Sequence, residues 1–448
     1  MNFAKRQIRK LITMAVPANT SASIVFETKV LKVNPASIHF AKDAHITGAL
    51  PTFSDPETER NLQEAVEILQ KTNYNVAFPT ETVYGLGGSS LNDEAILNIY
   101  KSKNRPSDNP LITHISSLNQ LNRVIYHSAA NTHTGNWNNI PVQYHKLIEN
   151  LWPGPLTILL PVPQYSPSFS SAKRLSALTT AGQPTFAVRL PSHPVARALI
   201  AMSDLPIAAP SANTSTKPSP TCASHVYHDL HGKIPLILEG GECSVGVESS
   251  VIDCVTSAMH KESEQAKSEN ELILLRPGGF TLEEISKMSE IPVSDIKVEC
   301  VLKNENSNVR TPGMKYKHYS PSCKVYLFVP MGKPEAHVIS HEYLVNQIKD
   351  LSALHESVKK IAILTTYHFD NLLKKEPCQI EGIEVIVKSL GSDGGSIQRN
   401  IFKYLRNLDE TDKVDVIFIE GVPEENEGLA IMNRLNKSSG GNTIPFCV

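Results

Sequence analysis

The sequence predicts an α/β fold with two domains, and three observations support this prediction. The chain has 448 residues, a length that corresponds to two or three domains of roughly 150 residues each. Short β-branched apolar runs alternate with amphipathic helical patterns, which is typical of α/β domains. The alternation stops in a stretch rich in prolines and in aromatic and basic residues, and then resumes. We therefore predict one α/β domain at residues 55–285, a linker at 286–322 and a second domain at 323–448.

The composition excludes several classes of protein. Hydrophobic residues make up 41% of the chain and the net charge is -2, so only a local basic site could attract a polyanion. Seven cysteines are scattered without a C-x-x-C pair, which argues against a zinc site or a disulfide framework and favours a reducing compartment. No apolar run approaches the ~18 residues of a membrane-spanning helix. We therefore expect a cytoplasmic protein that does not enter a membrane.

Residues 1–54 are predicted to form an N-terminal extension, with the structured region beginning near residue 55. Residues 1–23, MNFAKRQIRKLITMAVPANTSAS, carry four basic side chains and no acidic one. Their apolar residues could line one side of a helix, as in a mitochondrial transit peptide, and a disordered basic tail is the alternative. Met14 offers a second start that lacks the basic stretch. We therefore hypothesise that one gene supplies both the cytoplasm and the mitochondrion.

The first domain shows clear helical and strand patterns. ERNLQEAVEILQKT predicts an amphipathic helix because its apolar residues follow i, i+3, i+4, i+7 spacing. NDEAILNIYKSK predicts a helix for which Asn92 is a suitable N-cap. The other predicted helices are PVQYHKLIENL, PVARALIAMS and TCASHVYHDL. The predicted strands are NVAFPT, LITHI, LTILLPV, TFAVRLP, LPIAAPS, IPLILEGG and SSVIDCV.

The second domain repeats the alternation in a shorter form. Its predicted strands are KVYLFVP, KIAILTTYH, EVIVKSL and VDVIFIEG. Its predicted helices are EYLVNQIKDLSALHESVKK, SIQRNIFKYLRNLDE and GLAIMNRLNKSS. This order indicates a small, parallel, doubly wound sheet. No G-x-G-x-x-G follows a strand, so dinucleotide binding is not predicted.

Signatures of several common enzyme classes are absent from the sequence. There is no G-x-x-x-x-G-K-[ST] loop to cradle phosphates, no G-x-S-x-G nucleophile motif and no kinase motif set. Since no activated serine or cysteine is evident, direct phosphoryl or nucleotidyl transfer fits better than covalent catalysis.

Polar side chains recur where the predicted strands end. FPTETVYGLGG, residues 78–88, ends in glycines that indicate either a close approach of backbone to ligand or a tight strand-to-helix turn. Arg189 interrupts the apolar strand FAVRLP, and a buried arginine needs an acidic partner or an anionic ligand. APSANTSTKPSP, residues 209–220, supplies hydroxyls and an amide that suit an oxyanion or carboxylate, although a plain polar loop is the alternative.

Cations also accumulate at these strand ends. They are Lys103, Arg105, Arg189, Lys217 and Arg276. Several positive groups in one cleft suit the phosphates of a nucleotide, whereas an ordinary charged surface would be solvated. The residues themselves therefore predict an anion-binding α/β enzyme that uses a nucleotide.

An ordered set of motifs resembles the Sua5/YrdC/YwlC family, and specifically its long Sua5-type members from eukaryotes, fungi in particular. The resembling stretches are FPTETVYGLG, KNRPSDNPL, WPGPLT, FAVRLPSHP, PIAAPSANTSTKPSPT, GVESSVID, LLRPGG, PGMKYKHYSP and GLAIMNRLNKSS. The resemblance covers about residues 55–446. It implies a YrdC-like twisted mixed sheet with a large cavity, followed by a Rossmann-like Sua5 domain.

The resemblance also implies threonylcarbamoyl-AMP synthase activity, a nucleotidyl transfer. L-threonine, bicarbonate or CO2, and ATP would give threonylcarbamoyl adenylate and pyrophosphate, with Mg²⁺ shared among the ATP phosphates and no other metal. Partner proteins would pass the threonylcarbamoyl group to adenosine 37 of tRNAs that read ANN codons, so weak contact with nucleic acid is compatible with this function.

The family pattern assigns roles to individual residues. Those placed around threonine are Thr82, His114, Arg189, Ala209 and Ser249. The polar catalytic group consists of Lys103, Arg105, Ser211 and Asn213. Those expected to hold ATP are Arg105, Asn109, Thr185, Ser211, Ser219 and Arg276, with Tyr319 of the linker as a lid contact.

Two alternatives stay open at this point. A carbamoyl-phosphate-using relative from hydrogenase maturation would share the YrdC-like domain, but it would add zinc-finger cysteine pairs that this sequence lacks. A non-catalytic RNA-binding translation factor would use the same basic cleft, but few aromatic residues lie beside its cations.

Overall fold

An eleven-stranded mixed sheet and a five-stranded parallel sheet organise the protein. The computed structural model describes residues 25–128, 137, 139–164, 174–256, 271–299, 318–331, 338–355 and 357–447. The strands, numbered β1 to β18 in chain order, are Lys29–Lys32, Ile38–His39, Thr52–Phe53, Val76–Phe78, Gly85–Ser89, Ile112–His114, Leu156–Pro161, Thr185–Arg189, Ile207–Ala208, Leu236–Glu239, Ser250–Asp253, Leu272–Arg276, Ile296–Val298, Lys324–Pro330, Lys360–Thr365, Glu384–Ser389, Val416–Glu420 and Thr443–Phe446. The α-helices, numbered α1 to α12, are Ala44–Thr47, Pro56–Lys71, Asp93–Lys103, Leu118–Gln120, His145–Leu151, Pro194–Ser203, Ala223–Leu230, Leu282–Ser289, His341–Ala353, His368–Lys375, Gly394–Arg406 and Glu427–Ser439.

The large sheet has the order β1-β10-β4-β5-β9-β6-β8-β7-β11-β12-β13 and mixes parallel with antiparallel pairs. Helices α2 and α6 pack together against one part of it through buried aliphatic side chains such as Leu62, Leu69 and Leu199. The predicted N-cap of α3 is confirmed, because the Asn92 side chain accepts hydrogen bonds from the backbone of the first turn. The predicted mixed α/β architecture is confirmed.

The glycines after Tyr84 do not form the strand-to-helix turn that was one of the two interpretations. Gly85–Ser89 is a strand, β5, paired with β4 and β9. A Cβ atom at Gly87 would lie 2.6 Å from the Phe78 ring and 2.8 Å from Ile207. These glycines therefore let neighbouring chain segments approach closely in the middle of the sheet.

The structured region begins earlier than the predicted boundary near residue 55, so that prediction was wrong. β1 pairs in parallel with β10 at one edge of the large sheet, and β2 pairs with β3. Val33 and Ile38 are buried in the same apolar cluster as helix α2. Short strands interrupted by polar residues lack the long periodicity on which the boundary was based. The proposed transit peptide at residues 1–23 lies outside the described residues.

The predicted linker also contains sheet structure. Helix α8 extends to Ser289, and Ile296–Val298 forms β13, which pairs in parallel with β12. The large sheet thus continues beyond residue 285, where its boundary was predicted. Most of the motif PGMKYKHYSP lies outside the described residues, which resume at His318.

The second sheet has the order β16-β15-β17-β14-β18, and all of its pairs are parallel. Its strands carry the predicted β-branched apolar runs, and helices α11 and α12 pack together beside it. Helix α10 and strand β18 were not predicted, because each is short and lies beside polar residues. The parallel, doubly wound character of this domain is confirmed.

No helix in the described part of the chain is long and apolar enough to span a membrane.

Helices α11 and α12 face the first domain and form most of its contact with the second. Arg406 of α11 is fully buried, donates to the carbonyl of Pro218, and pairs with Asp229 at 2.6 Å. Gly246 approaches the backbone of α11 so closely that a Cβ there would lie 2.7 Å from the Gln398 carbonyl oxygen. The second domain is therefore packed directly against the loops at one edge of the large sheet.

Candidate active site

The predicted site residues lie at one edge of the large sheet because of its strand register. His114 and Arg189 are the last residues of β6 and β8 and lie opposite each other in the register. β7 and β11 start at this edge, where Thr157 lies opposite Arg189. Arg276 ends β12 opposite Val251 of β11. Strand ends that are far apart in the sequence thus converge on one cleft.

The cleft holds a cavity of about 70 Å³ within an empty space of about 620 Å³ that includes open solvent. The residues that line it are Thr80, Thr82, Val83, Gly85, Arg105, Ile112, His114, Arg189, Ala209, Pro210, Ser211, Glu248, Ser249, Arg276, His318 and Tyr319. A larger open groove of about 1180 Å³ lies near Gln70 and Arg174, and it contains none of the predicted site residues. The cavity in this cleft is therefore the candidate active site.

Arg189 lies at one end of the cavity, and its guanidinium contacts three neighbouring residues. Its Nη2 lies 2.7 Å from a carboxylate oxygen of Glu81, its Nη1 donates to the Thr82 hydroxyl at 2.9 Å, and its Nε donates to the carbonyl of Gly154 at 3.3 Å. Burial raises the pKa of Glu81, but the charge of Arg189 and the hydrogen bonds to the carboxylate together outweigh burial, so the net direction is downward. Glu81 is thus the acidic partner that a buried arginine in this strand requires.

His114 lies at the same end of the cavity as Arg189, and its imidazole is neutral. Burial, reinforced by the charge of Arg189, lowers its pKa to about 3. Its Nδ1 is buried and has no hydrogen-bond partner among the described residues. A buried nitrogen without a partner is costly, so a ligand that bonds to it would be favoured here.

Ser249 connects this end of the cavity to the other. Its hydroxyl lies 2.7 Å from the Thr157 hydroxyl and accepts a hydrogen bond from Arg276 at 3.0 Å. Arg276 also donates to the Ser249 carbonyl at 3.0 Å. Burial lowers the pKa of Arg276 to about 10, so it is still protonated at neutral pH.

Glu248 lines the cavity close to Arg276 and Tyr319. Its carboxylate accepts a hydrogen bond from the Ser219 hydroxyl at 2.6 Å and pairs with Arg434 of helix α12 at 3.0 Å. Burial opposes ionisation, but Arg434 and Arg276 outweigh it and bring the pKa of Glu248 to about 2. This end therefore contains a permanent anion whose charge is balanced by a residue from the second domain.

Tyr319 covers the same end of the cavity. Its ring packs 4.9 Å from Phe402 of α11 and 6.0 Å from the guanidinium of Arg434. Burial and the neighbouring Glu248 carboxylate raise the pKa of its hydroxyl well above the usual range. The residue predicted to act as a lid is held between the cavity and the second domain.

Lys103 lies behind the cavity wall rather than in it. Its Nζ donates to the carbonyls of Ser211 and Asn213, each at 2.5 Å. The Ser211 hydroxyl in turn donates to the Asn213 side chain at 2.5 Å. Burial first, and then the charge of Arg105, lower the pKa of Lys103 well below its usual value. In this arrangement Lys103 fixes the conformation of the loop that carries Ser211.

Arg105 and Asn109 present polar atoms without partners. Arg105 donates to the carbonyl of Pro110 at 3.2 Å, while its Nε is buried and has no hydrogen-bond partner among the described residues. The side-chain oxygen of Asn109 is likewise buried without a hydrogen-bond partner in that part of the chain. Arg105 lines the cavity, and an unsatisfied donor there is typical of a binding site that a ligand completes, whereas Asn109 does not line the cavity.

The structure brings together most, but not all, of the predicted site residues. Those that line the cavity are Thr82, Arg105, His114, Arg189, Ala209, Ser211, Ser249, Arg276 and Tyr319. Those outside its lining are Lys103, Asn109, Thr185, Asn213 and Ser219. Thr185 begins β8 while Arg189 ends it, which separates them by about 13 Å along an extended strand. The roles of these residues stay predictions.

Sequence reasoning missed four residues of the site: Glu81, Glu248, His318 and Arg434. Glu81 and Glu248 lie in stretches that the motifs contain, next to Thr82 and Ser249, but a carboxylate is unexpected where an anion should bind. The requirement that Arg189 have an acidic partner was the only signal for Glu81. Nothing in the sequence connects Arg434 to a residue 186 positions away.

The arrangement can bind anions, and it holds the Ser249 hydroxyl in hydrogen bonds with groups that are not general bases. Ser249 is hydrogen-bonded to Thr157 and Arg276 rather than to a base, and the described residues that line the cavity include no cysteine. The positive groups Arg105 and Arg276 face an end whose anion, Glu248, is already paired. The cavity therefore presents Arg105, Arg189 and Arg276 to anionic ligands.

Two family models match the chain. Residues 68–263 match the model described as "Telomere recombination", which unites Sua5, YciO and YrdC sequences, and residues 280–440 match "Threonylcarbamoyl-AMP synthase, C-terminal domain". A threonylcarbamoyl-AMP synthase of Schizosaccharomyces pombe is 42% identical over 437 residues, which cover 92% of this chain and 98% of that protein. One from Pyrococcus abyssi is 40% identical over 371 residues, which cover 82% of this chain and 91% of that protein.

A solved structure agrees with these sequence relationships. The crystal structure of Pyrococcus abyssi Sua5 complexed with L-threonine matches with a TM-score of 0.68 at 35% identity, covering 93% of this chain and 99% of that one. A match over that share of the chain includes residues of both domains. This chain belongs to the Sua5 family of threonylcarbamoyl-AMP synthases.

Proposed function

We propose that this protein is a threonylcarbamoyl-AMP synthase, which forms L-threonylcarbamoyladenylate and pyrophosphate from L-threonine, ATP and bicarbonate or CO2. The observation that carries this proposal is a single cavity that Arg189, Thr82, Arg105 and Arg276 line together. Family membership supports the same reaction.

Threonine is assigned to the Arg189 end. The guanidinium offers its remaining N–H donors to the amino-acid carboxylate, since Arg189 bonds to Glu81, Thr82 and Gly154 through one contact per nitrogen. The neutral His114 supplies an unpartnered ring nitrogen within reach of the same end. The L-threonine bound to Pyrococcus abyssi Sua5 supports this assignment.

ATP is assigned to the end that Arg105, Arg276, Ser211 and Tyr319 line. Positive groups held in a water-poor site stabilise the charge that develops on the phosphates during transfer. Ser219 and Asn109 lie just outside the lining, so we propose that they support this end from behind.

The proposed reaction has two steps. The free amine of threonine attacks the carbon of CO2, which forms an N–C bond and releases a proton, or it condenses with bicarbonate and releases water. A carbamate oxygen then attacks the α-phosphorus of ATP, and the bond from that phosphorus to the β-phosphate oxygen breaks as pyrophosphate leaves. Proximity of the two ligands supplies much of the rate. A closed site protects the carbamate, which otherwise reverts to amine and CO2.

We propose that Mg²⁺ enters with ATP and is held by its phosphates, whose negative charge it neutralises. The residues of the cavity fit this proposal. The carboxylate of Glu248, which lines the cavity, already contacts Ser219 and Arg434 rather than a metal. In the described part of the chain, one group with ligand atoms close enough for a metal is His228, Asp229 and Glu410, and Lys217 and Arg406 already pair with it.

We further propose that the product serves N6-threonylcarbamoyladenosine formation at position 37 of tRNAs that read ANN codons, through partner proteins that accept the adenylate. We propose a cytoplasmic location, with a second, mitochondrial form made from the basic N-terminus.

Pyrophosphate release tests the proposed function. ATP with threonine and bicarbonate together should release pyrophosphate, and omission of either should abolish release. Mass spectrometry should detect threonylcarbamoyl-AMP in the complete mixture only. Release that does not require threonine, or that is equal with serine, would overturn the proposal.

A further inference from the structure

The Arg434–Glu248 contact joins the second domain to the cavity wall. We infer that Arg434 is a positioning residue for the nucleotide: it neutralises and orients Glu248, and thereby keeps the phosphate-binding end of the cavity able to accept ATP. This inference rests on the proposed function, since it assigns ATP to that end.

Arg434 is held in one orientation by contacts from every nitrogen of its guanidinium. Nε and Nη2 donate to one carboxylate oxygen of Glu248 at 3.1 and 3.0 Å. Nη1 donates to the carbonyl of Pro277, which directly follows Arg276, and to that of Ala430 at 3.3 Å. The side chain is fully buried. Arg434 therefore fixes both the carboxylate and the backbone next to the cavity's Arg276.

Glu248 in turn contacts two other residues of the site. Its second carboxylate oxygen accepts the Ser219 hydroxyl at 2.6 Å. The Glu248 carboxylate also contributes to the raised pKa of Tyr319, which places the two side chains close together. Glu248 thus connects Arg434 to a predicted ATP contact on each side.

The charge of Glu248 would oppose ATP if Arg434 were absent. Glu248 lines the cavity at the end that contains Arg276 and Tyr319. Without Arg434 the buried carboxylate keeps Arg276 as its cationic neighbour, so its charge is only partly compensated and it competes with the phosphates for Arg276. The threonine end is served by a different pair, Arg189 and Glu81, so it should be affected much less.

The test measures MgATP binding by calorimetry and the KM for threonine in purified full-length variants. Arg434→Gln should weaken MgATP binding by about tenfold or more, because a partly compensated charge remains, while the KM for threonine changes by less than about twofold. Glu248→Gln combined with Arg434→Gln removes both charges and should recover most of the MgATP affinity. Arg434→Lys keeps the charge and should lie between the wild-type protein and Arg434→Gln.

A matched control is Lys403→Gln. Lys403 pairs across the same domain interface with Glu242 at 2.8 Å, but it is partly exposed and does not line the cavity. Its MgATP affinity should equal that of the wild-type protein. If Arg434→Gln is too unstable to purify, the double variant and Arg434→Lys still give the comparison.

The outcomes separate this inference from the proposed function. Wild-type MgATP affinity in Arg434→Gln, or no recovery in the double variant, would overturn the positioning role while pyrophosphate release by the wild-type protein still stands. Conversely, MgATP binding with the expected variant pattern but without threonine-dependent pyrophosphate release would overturn the proposed reaction and leave the positioning role intact. A wild-type protein that does not bind MgATP would overturn both.

Discussion

Arg189 and Glu81 form a buried ion pair in which Nη2 and Oε1 are 2.7 Å apart and the side chains are only 4% and 7% exposed. An arginine in an apolar strand is too costly to bury without such a partner. The pair also keeps the guanidinium at the edge of the cavity, where Nη1 contacts Thr82. Binding of an amino-acid carboxylate here must therefore use the donors that the pair leaves available.

Arg189→Ala should weaken threonine binding far more than ATP binding, because the carboxylate loses its cation. It should also lower the free energy of unfolding by about 3–5 kcal/mol, since Glu81 is left buried without its partner. Calorimetric titrations with each ligand and thermal unfolding check both effects. Equal losses for threonine and ATP would contradict the carboxylate role.

A surface arginine provides the control for that substitution. Arg123 pairs with Asp204 at 2.6 Å, and both side chains are about half exposed. Arg123→Ala should change the free energy of unfolding by less than about 1 kcal/mol and should not alter ligand binding.

Lys103→Gln should weaken ATP binding and destabilise the protein by about 1–3 kcal/mol, because the buried carbonyls of Ser211 and Asn213 lose their shared donor. Lys101→Gln, two residues away on an exposed position, should change stability by less than about 0.5 kcal/mol. Urea unfolding and nucleotide titration of both variants provide the measurement. Similar behaviour of the two variants would show that the buried contact is unimportant.

Gly246→Ala should displace the second domain, since its Cβ would lie 2.7 Å from the Gln398 carbonyl oxygen and 2.8 Å from that of Arg399. We expect a lower melting temperature and weaker MgATP binding. Gly241→Ala is the control, because Gly241 also has a positive φ, +90° against +83°, but has no atom within 4 Å of its Cβ position. Any difference between the variants then reports the clash rather than backbone strain. Identical melting temperatures would contradict this domain packing.

Stability should fall as the pH is lowered from about 6.5. Burial lowers the pKa of His114 to about 3 and those of His193, His225 and His318 to about 4. Between these values and the ordinary histidine pKa the unfolded chain binds protons that the folded chain does not, so acid favours unfolding. Each such histidine contributes a slope of about 1.4 kcal/mol per pH unit.

Denaturant unfolding of the wild-type protein and of His225→Gln from pH 4.5 to 7.5 checks this expectation. The variant lacks one of the four groups, so its free energy of unfolding should depend less steeply on pH. An unchanged slope would mean that His225 is protonated equally in both states.

The sequence predicted those features of the fold that depend on local pattern. Apolar spacing and the Asn92 cap located the helices, and β-branched runs located the strands of both sheets. It failed for β1 and for β13, where short strands gain their stability from the neighbouring strand rather than from their own residues. Strand Gly85–Ser89 was not predicted for the same reason. Glycine is required there because neighbouring strands approach closely, and the sequence alone does not show that contact.

By itself the sequence determined the family, the two-domain α/β architecture and most residues that line the cavity. The reason is that the ordered motifs contain the polar residues at the strand ends. Only the tertiary structure decided which of those residues face the cavity, such as Arg105, and which support it from behind, such as Lys103. It alone connected Arg189 with Glu81 and Arg434 with Glu248. The physical reason is that a buried charge is stabilised by whichever partner the fold brings within about 3 Å, whatever their separation along the chain.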